Sequence, residues 1–225
     1  MNFKPLFRVL SVFQKELKSE LRNRYSISAV VLFVITTITI ILFASAGEDI
    51  TPGMASGLIW IIMFFSAMTG LGRSFVSEEE RGTSLYLKLS TTSGAIFFGK
   101  LFFNVVLSIS LNTIAVILFF LFIDSVILRV FETFIITHIL GSIGIAGAST
   151  IISAIIARAN TKGALFPVLS FPIILPLLMF GIETTRFALD GTPFDSALNN
   201  FGMMFSYCGI IITLSYFLFD FVWKE

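Results

Sequence analysis

The sequence predicts an all-α integral membrane protein with six transmembrane helices, and two observations carry this. Six long apolar stretches run through the 225 residues without a single Asp, Glu, Lys or Arg, and the basic residues between them fall almost entirely on alternate sides. A bilayer core of ~30 Å takes roughly 20 helical residues to cross, because a helix satisfies its backbone polar groups within the segment. Composition agrees: 56% hydrophobic against 13% charged residues would leave a water-soluble domain of this size with an adhesive surface. One membrane domain over 1–225 is the simplest organisation.

The stretches run from Ile27 to Ala46, Met54 to Leu71, Leu101 to Ile123, Phe134 to Ala157, Ala164 to Ile182 and Phe201 to Phe219. Lys and Arg in short loops resist translocation, so their distribution orients the chain. Thirteen of the 15 basic residues share the side of the N-terminus, leaving only Arg129 and Arg186 opposite. Acidic residues divide evenly, so the net charge of +1 conceals this bias and says nothing about partners. Both termini are expected in the cytoplasm. Ala44-Ser45-Ala46 resembles a signal-cleavage site. However, a basic region of about twenty-five residues before it and a run of spanning length argue that the first span is retained. A lone Cys208 leaves no intrachain disulfide and no paired-cysteine metal site.

Ahead of the first span, in segment 1–24, Phe3, Leu6, Leu10, Phe13, Leu17 and Leu21 recur at three and four residues. Lys4, Arg8, Lys15, Lys18 and Arg22 fill the intervals. This predicts a basic amphipathic helix lying in the headgroup plane, with its apolar side toward lipid and its cationic groups near phosphate. Two readings stay open: a plain membrane anchor, and an elbow helix bracing a transporter's first span.

The longest cytoplasmic connection, between spans two and three, has structure of its own over 77–93. Ser77 with Glu80 three residues on fits a capping box, and the acids Glu78 to Glu80 suit a helix N-terminus. Gly82 then turns the chain, and Thr83 or Ser84 can cap a second short helix with Leu85, Leu89 and Lys88 on one face. The plain reading is a solvated loop. The functional reading is a coupling helix, a compact knob that passes a push from a soluble ATPase to the spans. Its candidate contacts are Glu79, Glu80, Arg81, Gly82, Thr83, Leu85, Lys88 and Leu89.

Gly94 to Lys100 matches most of a phosphate-binding loop, but Leu101 replaces the magnesium-binding Ser or Thr and no strand leads into it. Gly99-Lys100 is expected to mark the membrane entry of span three. His138 is the only histidine, near the outer end of span four; a neighbour-bonded histidine is far commoner there than a haem ligand, so no cofactor and no metal is assigned. Gly141, Gly144, Gly147 and Ala148 give span four a small-residue flank for close helix packing. Pro167, Pro172 and Pro176 predict a bent or broken fifth helix. The connection 183–200 is long, and Phe187, Leu189 and Phe194 make it a candidate to dip back into the outer leaflet.

With these features in place, the chain resembles the haem exporter B family (CcmB) of cytochrome c maturation, a branch of the ABC-2 type permeases. The resemblance rests on Thr51-Pro52-Gly53 opening span two ahead of Leu58 to Trp60, and on the acidic run followed by Gly82 to Leu85. It rests also on Leu140 to Gly144 and on Leu169 to Phe180, in matching order over nearly the whole chain. It implies an ABC-2 type permease fold and a bacterial inner-membrane subunit that dimerises and pairs with a separate ATPase, the A subunit. It further implies a haem-handling C subunit, a small single-span D subunit and a periplasmic haem chaperone as partners. ATP and Mg would then sit in the ATPase and haem in the partner subunits. Tyr86 and the segment from Ser90 to Ser93 depart from the family's acidic residue and proline after this knob, which leaves individual ATPase contacts open.

The leading function is therefore the permease half of an ATP-driven complex, tied to haem export or to release of the haem-loaded chaperone. The apolar stretches offer no charge for a proton or ion relay, so energy is expected from a partner. Two alternatives stand beside it: an ABC-2 exporter of lipid or glycan, and a non-conducting scaffold converting ATPase strokes into partner release. Lipid is an expected contact; nucleic acid is not.

Overall fold

A computed structural model describes residues 4–23, 25–45, 47–157 and 165–224. Arg24, Arg158 and Lys162, all counted in the charge bias, lie outside the described residues. Among those described, the only regular structure is helical. Six helices are long and apolar enough to cross a membrane.

The amphipathic segment forms α1 (Lys4–Asn23), and the first span is α2 (Tyr25–Ser45). Span two, α3 (Pro52–Leu71), opens where the sequence marks it: Thr51 Oγ1 accepts from Met54 N at 3.4 Å, and Pro52 takes the first turn, where its missing N–H costs nothing. Two short helices follow, α4 (Val76–Glu80) and α5 (Ser84–Ser90). The remaining spans are α6 (Ser93–Phe122), α7 (Phe131–Ala157), α8 (Leu165–Asp190) and α9 (Leu198–Lys224).

Several helices outrun their apolar stretches, because helical hydrogen bonding continues where the lipid-like composition ends. The helix that carries span three begins at Ser93 rather than at Leu101, where the apolar stretch starts, and Lys100 lies within it. Likewise α8 continues to Asp190, so most of the expected outer loop 183–200 is helical. The actual connection is a turn at Gly191 (φ +83°) and one 3-10 turn, Phe194–Ala197. The fifth span is not broken. Pro167 falls in the first turn of α8, where its nitrogen is not needed, and Pro172 and Pro176 are carried inside one continuous helix.

At the centre stands α7, packed against α6, α8 and α9 and also touching α3. Its small residues set the distances. A Cβ on Gly141 would lie 2.4 Å from the Trp60 ring, and one on Gly144 would lie 2.6 Å from Leu177; Ala148 is fully buried. The Trp60 indole slots between Gly141 of α7 and Gly181 of α8, where an added Cβ would approach it to 2.0 Å, and donates Nε1–H to Thr185 Oγ1 at 2.9 Å. Polar pairs tie α6 to α7 along the antiparallel seam: Asn104 Nδ2 to Thr150 Oγ1 at 2.8 Å, Asn112 Nδ2 to Ser142 Oγ at 3.0 Å, and Thr113 Oγ1 with His138 Nε2 at 3.0 Å.

Candidate functional site

The knob is held at the basic end of the bundle by a buried ion network that no apolar pattern announces. Lys100 projects from α6 with no exposed surface. Its ammonium donates to Glu16 Oε1 of α1 at 2.8 Å and to the Ser74 carbonyl at 2.6 Å, and lies 3.6 Å from Glu78 Oε1 of α4. Two hydrogen bonds and a second carboxylate within ion-pair distance compensate the charge, the condition under which a buried ammonium is tolerated. Lys15 of α1 also donates to Glu78 Oε1 and lies 3.4 Å from Glu16. Two ammoniums and two carboxylates balance, so the network carries no net charge into the bundle.

Gly99 makes this approach geometrically feasible. A Cβ there would lie 2.6 Å from Val12 Cβ and 2.9 Å from the Val9 carbonyl, so glycine lets α1 lie directly on α6. The two residues that imitate the end of a phosphate loop thus have other work: Gly99 seats α1, and Lys100 joins three helices. On α1 itself the protein-facing side is Val12 and Glu16, while Leu6, Leu10 and Leu21 are exposed.

Glu78 is the hinge of the knob. Burial by itself would raise its carboxyl, but the Lys100 ammonium and the hydrogen bonds from Lys15 and Thr83 outweigh that and hold it down at about 2. Gly82, at φ +65°, reverses the chain, after which Thr83 N–H and Oγ1–H return to the Glu78 carbonyl at 2.9 and 3.3 Å. The expected capping box does not form. Phe75 occupies the N-cap position of α4 with no side-chain cap, and Glu80 instead meets Arg73 at 3.1 Å. Thr83 occupies the N-cap position of α5, but its hydroxyl is spent on Glu78, and Ser84 is already helical.

Below α5 lies an aromatic floor. Phe75 stands 5.4 Å from Phe219 and 5.6 Å from Trp223, and Phe97 stands 5.4 Å from Phe219. Leu87 is buried, and the Lys88 ammonium sits 5.5 Å over the Trp223 ring, a cation–π contact. Lys88 therefore does not join the outward face with Leu85 and Leu89. That face is completed by Tyr86: Leu85, Tyr86 and Leu89 are 64%, 76% and 80% exposed. Glu80, Arg81, Gly82 and Thr83 are exposed beside them, with Glu79 half-buried.

Sequence reasoning missed Glu16, Lys15 and Lys100 as partners of the knob. The available signal was a lysine at the end of a glycine-rich run with no loop signature after it. It also missed Asn104 and Asn112, two buried amides within the apolar stretch from Leu101 to Ile123.

The six-span bundle with a folded knob between spans two and three accompanies a match to a family model described as CcmB protein, over residues 7–218. That range runs from α1 to near the end of α9. The chain belongs to the CcmB family. It is thereby a multi-pass membrane component of haem export for cytochrome c maturation, and a permease subunit rather than a catalytic enzyme. A search of curated proteins found no match. Within this CcmB chain, His138 packs parallel to Phe134 and meets Thr113, a neighbour-bonded histidine in the α6–α7 seam.

Proposed function

We propose that this CcmB-family chain is the membrane half of an ATP-driven complex and receives its mechanical input at α4–α5. The supporting observation is the coexistence of an exposed apolar ridge, Leu85, Tyr86 and Leu89, with a buried anchor, Glu78, locked to both α1 and α6. An exposed apolar ridge on a short helix is a docking feature for a soluble partner. A buried ion network is a stiff connection, because displacing one member strands the others in low dielectric. Force applied to the ridge is therefore delivered to the elbow and to span three together.

The partner class is a separate ATPase on the cytoplasmic face of a bacterial inner membrane, with nucleotide and Mg in that subunit. Two copies of the chain form the unit, since α7 fills the centre of a single copy and a substrate path would have to run between copies. A haem-handling C subunit, a single-span D subunit and a periplasmic haem chaperone complete the complex. Its output is haem export or ATP-dependent release of the loaded chaperone.

Affinity isolation from native membrane in mild detergent, with mass spectrometry, tests the assembly. An ATPase recovered with haem-handling proteins supports it; an ATPase alone redirects it toward a lipid or glycan exporter. The double variant Leu85→Asp/Leu89→Asp tests the input site. It is expected to insert normally and lose ATPase association; normal association would refute the coupling assignment.

A further inference from the structure

Between α1, the end of α3, α4 and α6 a cavity of about 240 Å³ enters the bundle from the knob side. Its mouth carries the exposed side chains of Arg73, Glu80 and Arg81. Its inner part reaches Gly70 and Leu107, which belong to the apolar stretches of spans two and three. Leu107 follows Lys100 by seven residues on α6, a rise of about 10 Å along the helix axis. The walls are nonetheless mainly polar. Lys100 itself has no exposed surface, so the cavity meets the ion network on its carboxylate side, where Glu16 lines it.

Two buried side chains that line this cavity call for partners the surrounding helices do not give. Asn104 is fully buried and donates Nδ2–H to Thr150 Oγ1 at 2.8 Å, while its Oδ1 has no hydrogen-bond partner among the described residues. Ser74 is 9% exposed; its carbonyl accepts from Lys100, but its Oγ likewise has no partner among the described residues. Buried polar atoms of this kind are nearly always matched, by protein or by water. Charge selects between occupants. Arg73 pairs with Glu80 at 3.1 Å, Glu16 is held by Lys100 and Lys15, and the remaining Glu20 and Arg81 are opposite in sign, so no unbalanced charge calls for an ion. The space holds several waters, and the polar groups that water needs line it. We propose that the cavity is an aqueous inlet, which carries water from the knob side to the level of spans two and three and hydrogen-bonds it to Asn104 and Ser74. Because Ser77 and Glu80 of α4 form one wall, displacement of the knob changes the width of the inlet. The inlet belongs to a single copy of the chain and stands whether or not an ATPase docks on α5.

The test is thiol reactivity of the full chain in native membranes, in a Cys208→Ser background. Leu107→Cys and Asn104→Cys report the inlet. Phe102→Cys, nearer the knob end of the same helix but exposed on the outside of the bundle, reports the apolar surface. The reagent is a small, membrane-impermeant methanethiosulfonate bearing a sulfonate, applied from the side that labels Ser90→Cys. Only the thiolate reacts, and it forms where water reaches the sulfur. Both inlet reporters are expected to label about a hundred-fold faster than Phe102→Cys, because apolar surroundings suppress the thiolate. Adding Ser77→Trp, which places an indole on the α4 wall, is expected to bring Leu107→Cys down to the Phe102→Cys rate and to leave Ser90→Cys unchanged. Failure of both inlet reporters to label, with Ser90→Cys labelled, would overturn the proposal and mean that protein or lipid fills the cavity. Equal rates at Leu107→Cys and Phe102→Cys would overturn it as well, since reactivity would then not follow the cavity. Undiminished labelling beside Ser77→Trp would show that water arrives by another route, and the inlet along α4 would fall.

Discussion

Lys100 is worth most to the fold through what its removal would strand. With it gone, Glu16 and Glu78 face each other in a buried space where only Lys15 remains to pair them. Breaking a buried pair on one side costs about 3–5 kcal/mol, far more than the pair contributes when intact. Lys100→Ala is therefore expected to lower the thermal unfolding midpoint of the solubilised protein strongly, while Lys100→Met combined with Glu16→Gln and Glu78→Gln recovers most of it. Equal loss in the single and triple variants would remove the ion-network account. Glu78 adds a pH signature. Its folded value of about 2 lies below its ordinary 4.5, so the ionised form stabilises the fold. That contribution is complete above about 4.5 and is lost as pH falls toward 2. Glu78→Gln should flatten this acid limb of the stability curve, and an unchanged limb would assign it to other carboxylates.

Among the elements, α7 shows how small residues and one large one define a helix junction. Gly181→Ala puts a Cβ 2.0 Å from the buried Trp60 ring, and overpacking of this kind costs about 1–3 kcal/mol. Pairing it with Trp60→Phe, which shortens the ring, should cost less than the two single changes summed, a coupling that a double-mutant cycle in detergent unfolding measures. Strict additivity would show that the slot is looser than its geometry. The existence and order of the spans were legible because a bilayer demands about 20 apolar helical residues each time. The glycines of α7 were legible as a packing flank for the same reason. Trp60 as their occupant was not, because Gly181 lies on a different helix and nothing local links them. Helix limits were misjudged wherever charge was taken as the end of a helix. Lys100 and Glu183 to Asp190 are helical because hydrogen bonding along the backbone ignores side-chain polarity once partners are supplied. Pro172 and Pro176 did not break α8, which is packed against α7, α3 and α9 along its length. The knob was legible as two helices around Gly82, but its anchor depended on Lys15, Glu16 and Lys100, distant in sequence.

For the whole molecule, charge and shape make one joint statement about orientation. Lys15, Arg73, Lys88 and Lys100 gather at the end that carries α4 and α5, whereas Arg129 meets the Asp190 carbonyl and Arg186 pairs with the Asp190 carboxylate at the other end. Positive residues are retained on the cytoplasmic side, so the knob is expected inside, where an ATPase is found. Ser90 and Ser196 are exposed at opposite ends and report this directly. In a Cys208→Ser background, which removes the one native thiol, a membrane-impermeant maleimide should label Ser196→Cys in intact cells and Ser90→Cys only after the membrane is opened. The two positions control for each other, because a leaky preparation would label both and a misfolded one would lose the difference. The reversed pattern would place Leu85 and Leu89 on the outer face. No cytosolic ATPase reaches that face, so both the topology and the input site would fall together.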